Sequence, residues 1–296
     1  MVEDYVPYNE KRIIFPNGNI EIVKYGRLKV RILNKKQSNN PTHELTDEEK
    51  EKRRVQQAFR IKRKIKHYCL SNDFDLFWTL TFNDEEIDAL DYVKARKTLQ
   101  AWLKYQREKY GRFDYIFVPE LHKSGRIHFH GLTKHLNPPL TVAISPKTGR
   151  KIKKNGKQIY NAENWKKGFS TVSQISNSAK TASYITKYIT KELLEVPTAY
   201  HQPHYFVSRG LKLPDITYEE VKEDDLENFV PSYIAMNIDF DTFESEKIVS
   251  IYNLNLDKNG NLNQTETVKT TVKSRLIKNN RDEQYEKRDE KRDEID

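Results

Sequence analysis

Two short stretches carry side chains whose types and spacing suit chemistry on a phosphodiester. In ELHKSGRIHFHGL, His128 and His130 are separated by one residue, and on a β-strand such residues project from the same face. If the preceding turn is a three-residue loop, Lys123 to Gly125, with Gly125 in the left-handed conformation, then His122 pairs with Arg126 and Glu120 lies opposite His128. Glu120, His128 and His130 then converge. Imidazole with carboxylate suits a divalent cation of intermediate hardness, magnesium or manganese, with positions left for phosphate oxygens. A two-residue turn would put Glu120 on the other face and leave His122 as the competing third ligand. A bare His-X-His is equally what two hydrogen-bonded strand histidines look like, so the pair has to be read with its neighbours.

The second stretch is YITKYITK, residues 184 to 191. On a helix, Ala182, Ile185, Ile189 and Leu193 fall in a stripe roughly 80° wide. Tyr184, Lys187, Tyr188 and Lys191 form a second stripe nearly opposite. Tyrosines that served packing would sit on the apolar stripe, and these do not; a solvated face with tyrosines lying over lysine stems is the other reading. A phenol with its ordinary pKa of about 10 is a poor nucleophile. A lysine one turn away and a nearby metal favour the phenolate and neutralise an attacked phosphate. Attack would conserve the phosphodiester bond energy in a phosphotyrosine link, and two tyrosines would allow two successive transfers.

Elements that could position these groups follow from the pattern around them. Asn17-Gly18 marks a turn between extended pieces in the first 40 residues. Thr46 and Glu49 form a capping-box start for a helix running to about Leu70, whose basic second half is either a solvated face or a DNA-facing one. LFWTLTF reads as a buried strand. A helix is expected from about Glu85 to Tyr110, with Leu90, Val93, Leu99, Trp102 and Leu103 available for its buried side and Gly111 ending it. Two hairpins, a strand at FSTVSQI and the tyrosine helix from Ser178 complete an α+β order, with an antiparallel sheet and helices on one face.

The chain has a formal charge of +9 and one cysteine, Cys69. No intramolecular disulfide or thiolate metal cluster is possible, which suits a reducing compartment. Basic character suggests a polyanionic partner. It is concentrated: between Leu140 and Lys191, eleven basic residues face the single acid Glu163. The hairpin carrying Lys147, Arg150, Lys151, Lys153, Lys154 and Lys157 is the expected DNA-contacting element. No apolar run is long enough to span a bilayer and MVEDYVPYNEKR lacks the apolar segment of a signal peptide, so no membrane partner and a cytoplasmic location are expected. No G-x-x-x-x-G-K-[ST] phosphate loop occurs, so unwinding would need a separate helicase.

Taken in order, FWTLTF, HFH and YITKYITK resemble the three motifs of the HUH endonucleases, in particular the two-tyrosine rolling-circle replication initiators of small phages and plasmids. The resemblance spans roughly residues 71 to 195, and SRGLKLP at 208 to 214 is also similar to such initiators. It implies a ferredoxin-like or RRM-like palm with the histidine strand central in an antiparallel sheet. His128 and His130 would be metal ligands with Glu120 as the third. Tyr184 and Tyr188 would be nucleophiles, with Lys187 and Lys191 as electrostatic partners. The implied reaction nicks single-stranded origin DNA, leaving a 3′-hydroxyl for a host polymerase and a 5′-phosphotyrosine, with a host helicase unwinding ahead. Relaxases and transposases use the same chemistry. A non-catalytic module would instead stack bases on Phe77, Trp78 and Phe129.

The expected domain plan is an N-terminal extension over 1–70, the initiator domain over 71–214 and an acidic extension over 215–252. Residues 253–296 are expected to be a disordered or solvated tail.

Overall fold

The computed structural model describes residues 5–33, 45–83, 85–154, 156–189, 204–222, 225–238, 245–264 and 268–276, to which all structural statements here refer. In chain order, β1 (Tyr5–Ile14) and β2 (Asn19–Ile32) are followed by α1 (Asp47–Ser71), β3 (Leu76–Leu80) and α2 (Tyr92–Tyr110). Next come β4 (Asp114–Leu121), β5 (Ile127–Lys134), β6 (Leu140–Val142), β7 (Lys153–Lys154), β8 (Lys157–Gln158), β9 (Tyr160–Ala162) and β10 (Ser170–Gln174). After α3 (Ser178–Ile185) lie β11 (Phe206–Val207), β12 (Asp215–Glu219), β13 (Tyr233–Ile238), β14 (Ser245–Leu256), β15 (Leu262–Asn263) and β16 (Thr271–Leu276). The class is α+β.

These elements fall into two compact units, residues 39–213 and, separately, residues 1–38 with 214–296. The division falls between residues 38 and 39 and between residues 213 and 214. α1 belongs to the first unit because its apolar stripe of Ala58, Ile65 and Cys69 is buried there against Ile116, Val118 and Leu132. Its start is as expected: the Thr46 hydroxyl accepts from the Glu49 N–H, and the Glu49 carboxylate accepts in return from the Thr46 N–H at 2.9 Å.

In the first unit the strands run β11-β4-β5-β3-β10-β9-β6, and β5 is an inner strand between β4 and β3. Helices cover both faces rather than one. Trp78, Leu80, Phe117 and Phe129 pack with Leu99 and Trp102 of α2. On the opposite face Ile116, Val118 and Leu132 pack with α1 and with Ala182, Ile185 and Ile189. The reason is in β4 and β5, which carry buried apolar residues on both sides, Ile116, Val118 and Leu132 on one and Phe117 and Phe129 on the other, and such stretches need cover on each.

Two helices differ from expectation in length. α2 starts at Tyr92, capped by the Asp91 carboxylate, which accepts from the Lys94 N–H at 3.0 Å. Leu90 therefore precedes the helix and is 63% exposed, and Val93 is 48% exposed. Leu99, Trp102 and Leu103 are buried, and Gly111 ends the helix with φ 81°. α3 stops at Ile185 and tightens into a 3₁₀ turn over Thr186–Tyr188. The β-branched Thr186 turns its hydroxyl back to the Ala182 carbonyl at 2.9 Å, a bond that competes with regular helix geometry. Lys191 and Leu193 lie outside the described residues.

The second unit is built on a sheet in the order β12-β1-β2-β14-β13-β16, with β15 beside β14. Ile20, Ile22, Leu226, Tyr252 and Leu254 form its core. Residues expected in a tail thus contribute the end of β14, β15 and β16, because SEKIVSIYNLNL carries enough alternating apolar residues to pair along β2. The acidic stretch after Pro214 supplies β12, paired to β1.

Candidate active site

The histidine hairpin adopts the three-residue loop. The His122 N–H donates to the Arg126 carbonyl at 2.9 Å, Gly125 has φ 81°, and Glu120 pairs across the ladder with His128. A left-handed residue is required at this loop's last position, and glycine adopts it without steric cost. Glu120, His128 and His130 consequently share one face of β4 and β5, with Phe129 buried on the other.

His130 is the buried centre of this face, at 4% exposure. Its Nε2 lies 2.7 Å from Glu120 Oε2 and its Nδ1 lies 3.2 Å from the Thr79 hydroxyl. Thr79 pairs with His130 across β3 and β5, and it is not among the site residues expected from sequence. Its signal lies in the alternation of LFWTLTF, which buries Trp78 and Leu80 and leaves Phe77 and Thr79 for the other face. The hydrogen bond to His130 holds the Glu120 carboxyl below the usual carboxylate range, whereas burial lowers the pKa of His128. His128 stacks on His122, ring centroids 5.5 Å apart.

Among the described residues no group of three or more His, Cys, Asp or Glu side chains is arranged ready to hold a metal. The donor chemistry nevertheless fits one. An ionised carboxylate and a neutral imidazole are the protonation states that ligate divalent cations. Here Glu120 and His130 are paired with each other, and the Thr79 hydroxyl can donate to or accept from Nδ1, so it suits either tautomer of the imidazole.

The tyrosines reach this face from α3. Ala182, Ile185 and Ile189 are at most 1% exposed, which anchors the apolar stripe and leaves Tyr184 and Lys187 exposed, whereas Tyr188 is half-buried against the same core. Tyr188, in the 3₁₀ turn, lies flat on His130 with centroids 3.7 Å apart and planes 8° from parallel. Burial, followed by its hydrogen bond with Tyr184, pushes the Tyr188 phenol above its ordinary pKa. Lys187 Nζ lies over the Tyr184 ring at 5.7 Å, and Lys191, which follows Tyr188 at the same spacing, lies outside the described residues.

Tyr184 meets Tyr188 edge-on at 5.5 Å and Phe77 at 5.4 Å. It also lines an open cavity of about 440 Å³ with Phe77, Lys154, Lys157, Gln174, Asn177 and Lys180. Lys154 Nζ sits 5.5 Å over the Tyr184 ring, and Lys157 Nζ donates to the Gln174 carbonyl at 3.1 Å. Of the basic hairpin, then, Lys154 and Lys157 border the site. Lys147, Arg150, Lys151 and Lys153 are exposed elsewhere on the hairpin. Trp78 and Phe129, which a base-stacking sheet would have to expose, are fully buried.

Residues 75–193 match a family model for the replication-associated protein ORF2. The matched segment runs from β3 to just past Tyr188 and holds every candidate site residue, though it is less than half of the 296-residue chain. It supports a replication-initiator family and an interaction with DNA. No curated protein and no solved structure matches the chain. No helix among the described residues is long and apolar enough to cross a membrane.

Proposed function

We propose that this protein is a replication initiator of the HUH endonuclease type, which nicks single-stranded origin DNA by tyrosine transesterification and so starts rolling-circle replication. The observation that carries the reading is the stack of Tyr188 on His130, which is itself bonded to Glu120. A nucleophile candidate and a ligand candidate come from distant segments and meet on one sheet face, within a segment matched to a replication-associated family.

Glu120, His128 and His130 would hold a divalent cation, magnesium or manganese. That cation would polarise the scissile phosphate and offset its charge. The Tyr188 phenol oxygen forms a bond to phosphorus as the bond from phosphorus to O3′ breaks. The phenol gives up its proton and O3′ takes one up, so the products are a 3′-hydroxyl strand and a 5′-phosphotyrosine. Tyr184, one turn away and edge-on to Tyr188 at 5.5 Å, would carry a second transfer that closes the displaced strand. Lys187 and Lys154 flank it as counter-charges to phosphate, with Lys191 assigned the same role from sequence. A host polymerase extends the 3′-hydroxyl, and a host helicase unwinds the template.

The test uses labelled single strands tiling the replicon's own origin, incubated with the full chain and manganese and resolved on a denaturing protein gel. A labelled adduct that requires metal and disappears in Tyr184→Phe/Tyr188→Phe is the expected result. An adduct that persists in the double variant, or binding with no adduct from any segment, would overturn the reading.

A further inference from the structure

Outside the family-matched segment, β1 and β2 continue past the sheet that holds them. β12 pairs with β1 only between Glu10 and Ile14, and β14 pairs with β2 only between Asn19 and Tyr25. Beyond those limits, among the described residues, Tyr5 to Tyr8 pair only with Lys29 to Ile32, forming a two-stranded ribbon. It departs at Gly26, where a Cβ would lie 1.7 Å from the Lys247 carbonyl oxygen, so only glycine allows β2 to pass there. Every residue from Gly26 to Leu33 is exposed.

GRLKVRIL alternates, so Arg27, Lys29 and Arg31 share one face with Tyr8. Glu246 holds Arg27 through two hydrogen bonds of 2.6 and 2.9 Å. The other two cations rest on aromatic rings: Lys29 Nζ sits 4.8 Å over the Tyr25 ring and the Arg31 guanidinium 4.6 Å over Tyr218. Tyr8 lies edge-on to both rings, at 5.8 and 5.0 Å. The tyrosines thus fix the two charges on a narrow support and lower the entropy lost when they bind. Because those ring faces already carry cations, they are not open to stack unpaired bases, as a single-strand platform would require. A two-stranded ribbon does fit the major groove of duplex DNA, about 12 Å wide.

We infer that the ribbon of β1 and β2 is a duplex-DNA-binding arm that lays Lys29 and Arg31 against the phosphates bordering a groove. Its partner class is distinct from the single strand assigned to Tyr188, and the arm stands or falls independently of the nicking chemistry.

The experiment measures binding of the full chain to a labelled random-sequence duplex about two helical turns long, and to one of its strands, by anisotropy across a salt series. Lys29→Gln/Arg31→Gln is expected to weaken duplex binding about tenfold or more at low salt and to reduce the slope of log affinity against log salt by about 2. Affinity for the single strand should stay within about twofold, and Val30→Thr, on the opposite face, should bind duplex as wild type does. Duplex affinity and slope unchanged in the glutamine pair would overturn the proposal, as would an equal loss for duplex and single strand. In a parallel binding assay with phosphatidylserine vesicles, a loss confined to the vesicles, with duplex binding intact, would also overturn it and assign the arm to a membrane surface. Because the readout is duplex binding, a chain that forms no tyrosine adduct can still pass or fail this test.

Discussion

The ring of Tyr188 lies face to face with the imidazole of His130, 3.7 Å between centroids, while Tyr184 stands perpendicular to Tyr188 and borders the basic cavity. The doubled Tyr-Lys repeat is therefore not doubled in environment. Tyr188 is at the candidate metal face, and Tyr184 is on the side from which a strand held by Lys154, Lys157 and Lys180 would arrive.

This asymmetry predicts an order of attack. In a single turnover on an origin strand, peptide mapping should find the first phosphotyrosine at Tyr188. Tyr188→Phe should slow first-strand cleavage by on the order of 10⁴-fold or more, the scale of losing a covalent nucleophile. Tyr184→Phe should form the first adduct but fail in the second transfer. Mapping of the first adduct to Tyr184 would reverse the assignment.

The hydrogen bonds around His130 predict how metal affinity depends on groups that are not themselves ligands. Manganese titrated by calorimetry should lose most of its binding in Glu120→Ala or His128→Ala. Thr79→Val, which removes the hydroxyl 3.2 Å from Nδ1, should cost about 10-fold to 100-fold in affinity. His122→Ala should have a small effect if Glu120 is the third ligand; a loss as large as that in Glu120→Ala would make His122 a ligand.

Exposed charge on the basic hairpin predicts salt dependence. Neutralising Lys147, Arg150, Lys151 and Lys153 to glutamine should weaken single-strand binding. It should also flatten the slope by about 0.7 for each phosphate the variant no longer neutralises. An unchanged slope would leave these residues as a solvated tip.

Ile185 anchors the tyrosine helix with no exposed surface. Ile185→Ala should destabilise the site-bearing unit by about 3 kcal/mol, within the range for truncating a buried aliphatic side chain. Tryptophan fluorescence during urea unfolding isolates that unit, because Trp78, Trp102 and Trp165 all lie within residues 39–213. A midpoint unchanged from wild type would mean that α3 is held by other contacts.

The thiol of Cys69 is buried against Ile65 and the sheet, and burial pushes its pKa up to about 12. A raised thiol pKa favours the neutral form, so at pH 8.5 about one thiol in 3,000 would be the reactive thiolate. Iodoacetamide should therefore leave the native protein unmodified at that pH and alkylate its only cysteine after denaturation. Rapid native alkylation would show that α1 opens from the sheet.

What the sequence by itself determined is local. The Thr46 and Glu49 capping box, the Asn17-Gly18 turn and the Gly125 loop each depend on residues a few positions apart. The length of that loop stayed open between two and three residues in the sequence, and the folded hairpin takes three, which puts Glu120 opposite His128. The tyrosine face was legible because Ala182, Ile185 and Ile189 had to be buried, whatever they packed against. Only the tertiary structure decided the rest. Tyr188 reaches His130 across 58 positions of chain, and Thr79 meets the same imidazole from another strand. The N-terminal hairpin finds β12 and β14 from the far end of the sequence. Those pairings depend on which apolar faces bury each other at long range, and hydrophobic burial is non-directional. Periodicity can say that a face must be covered, but the covering partner emerges only when the whole chain has packed.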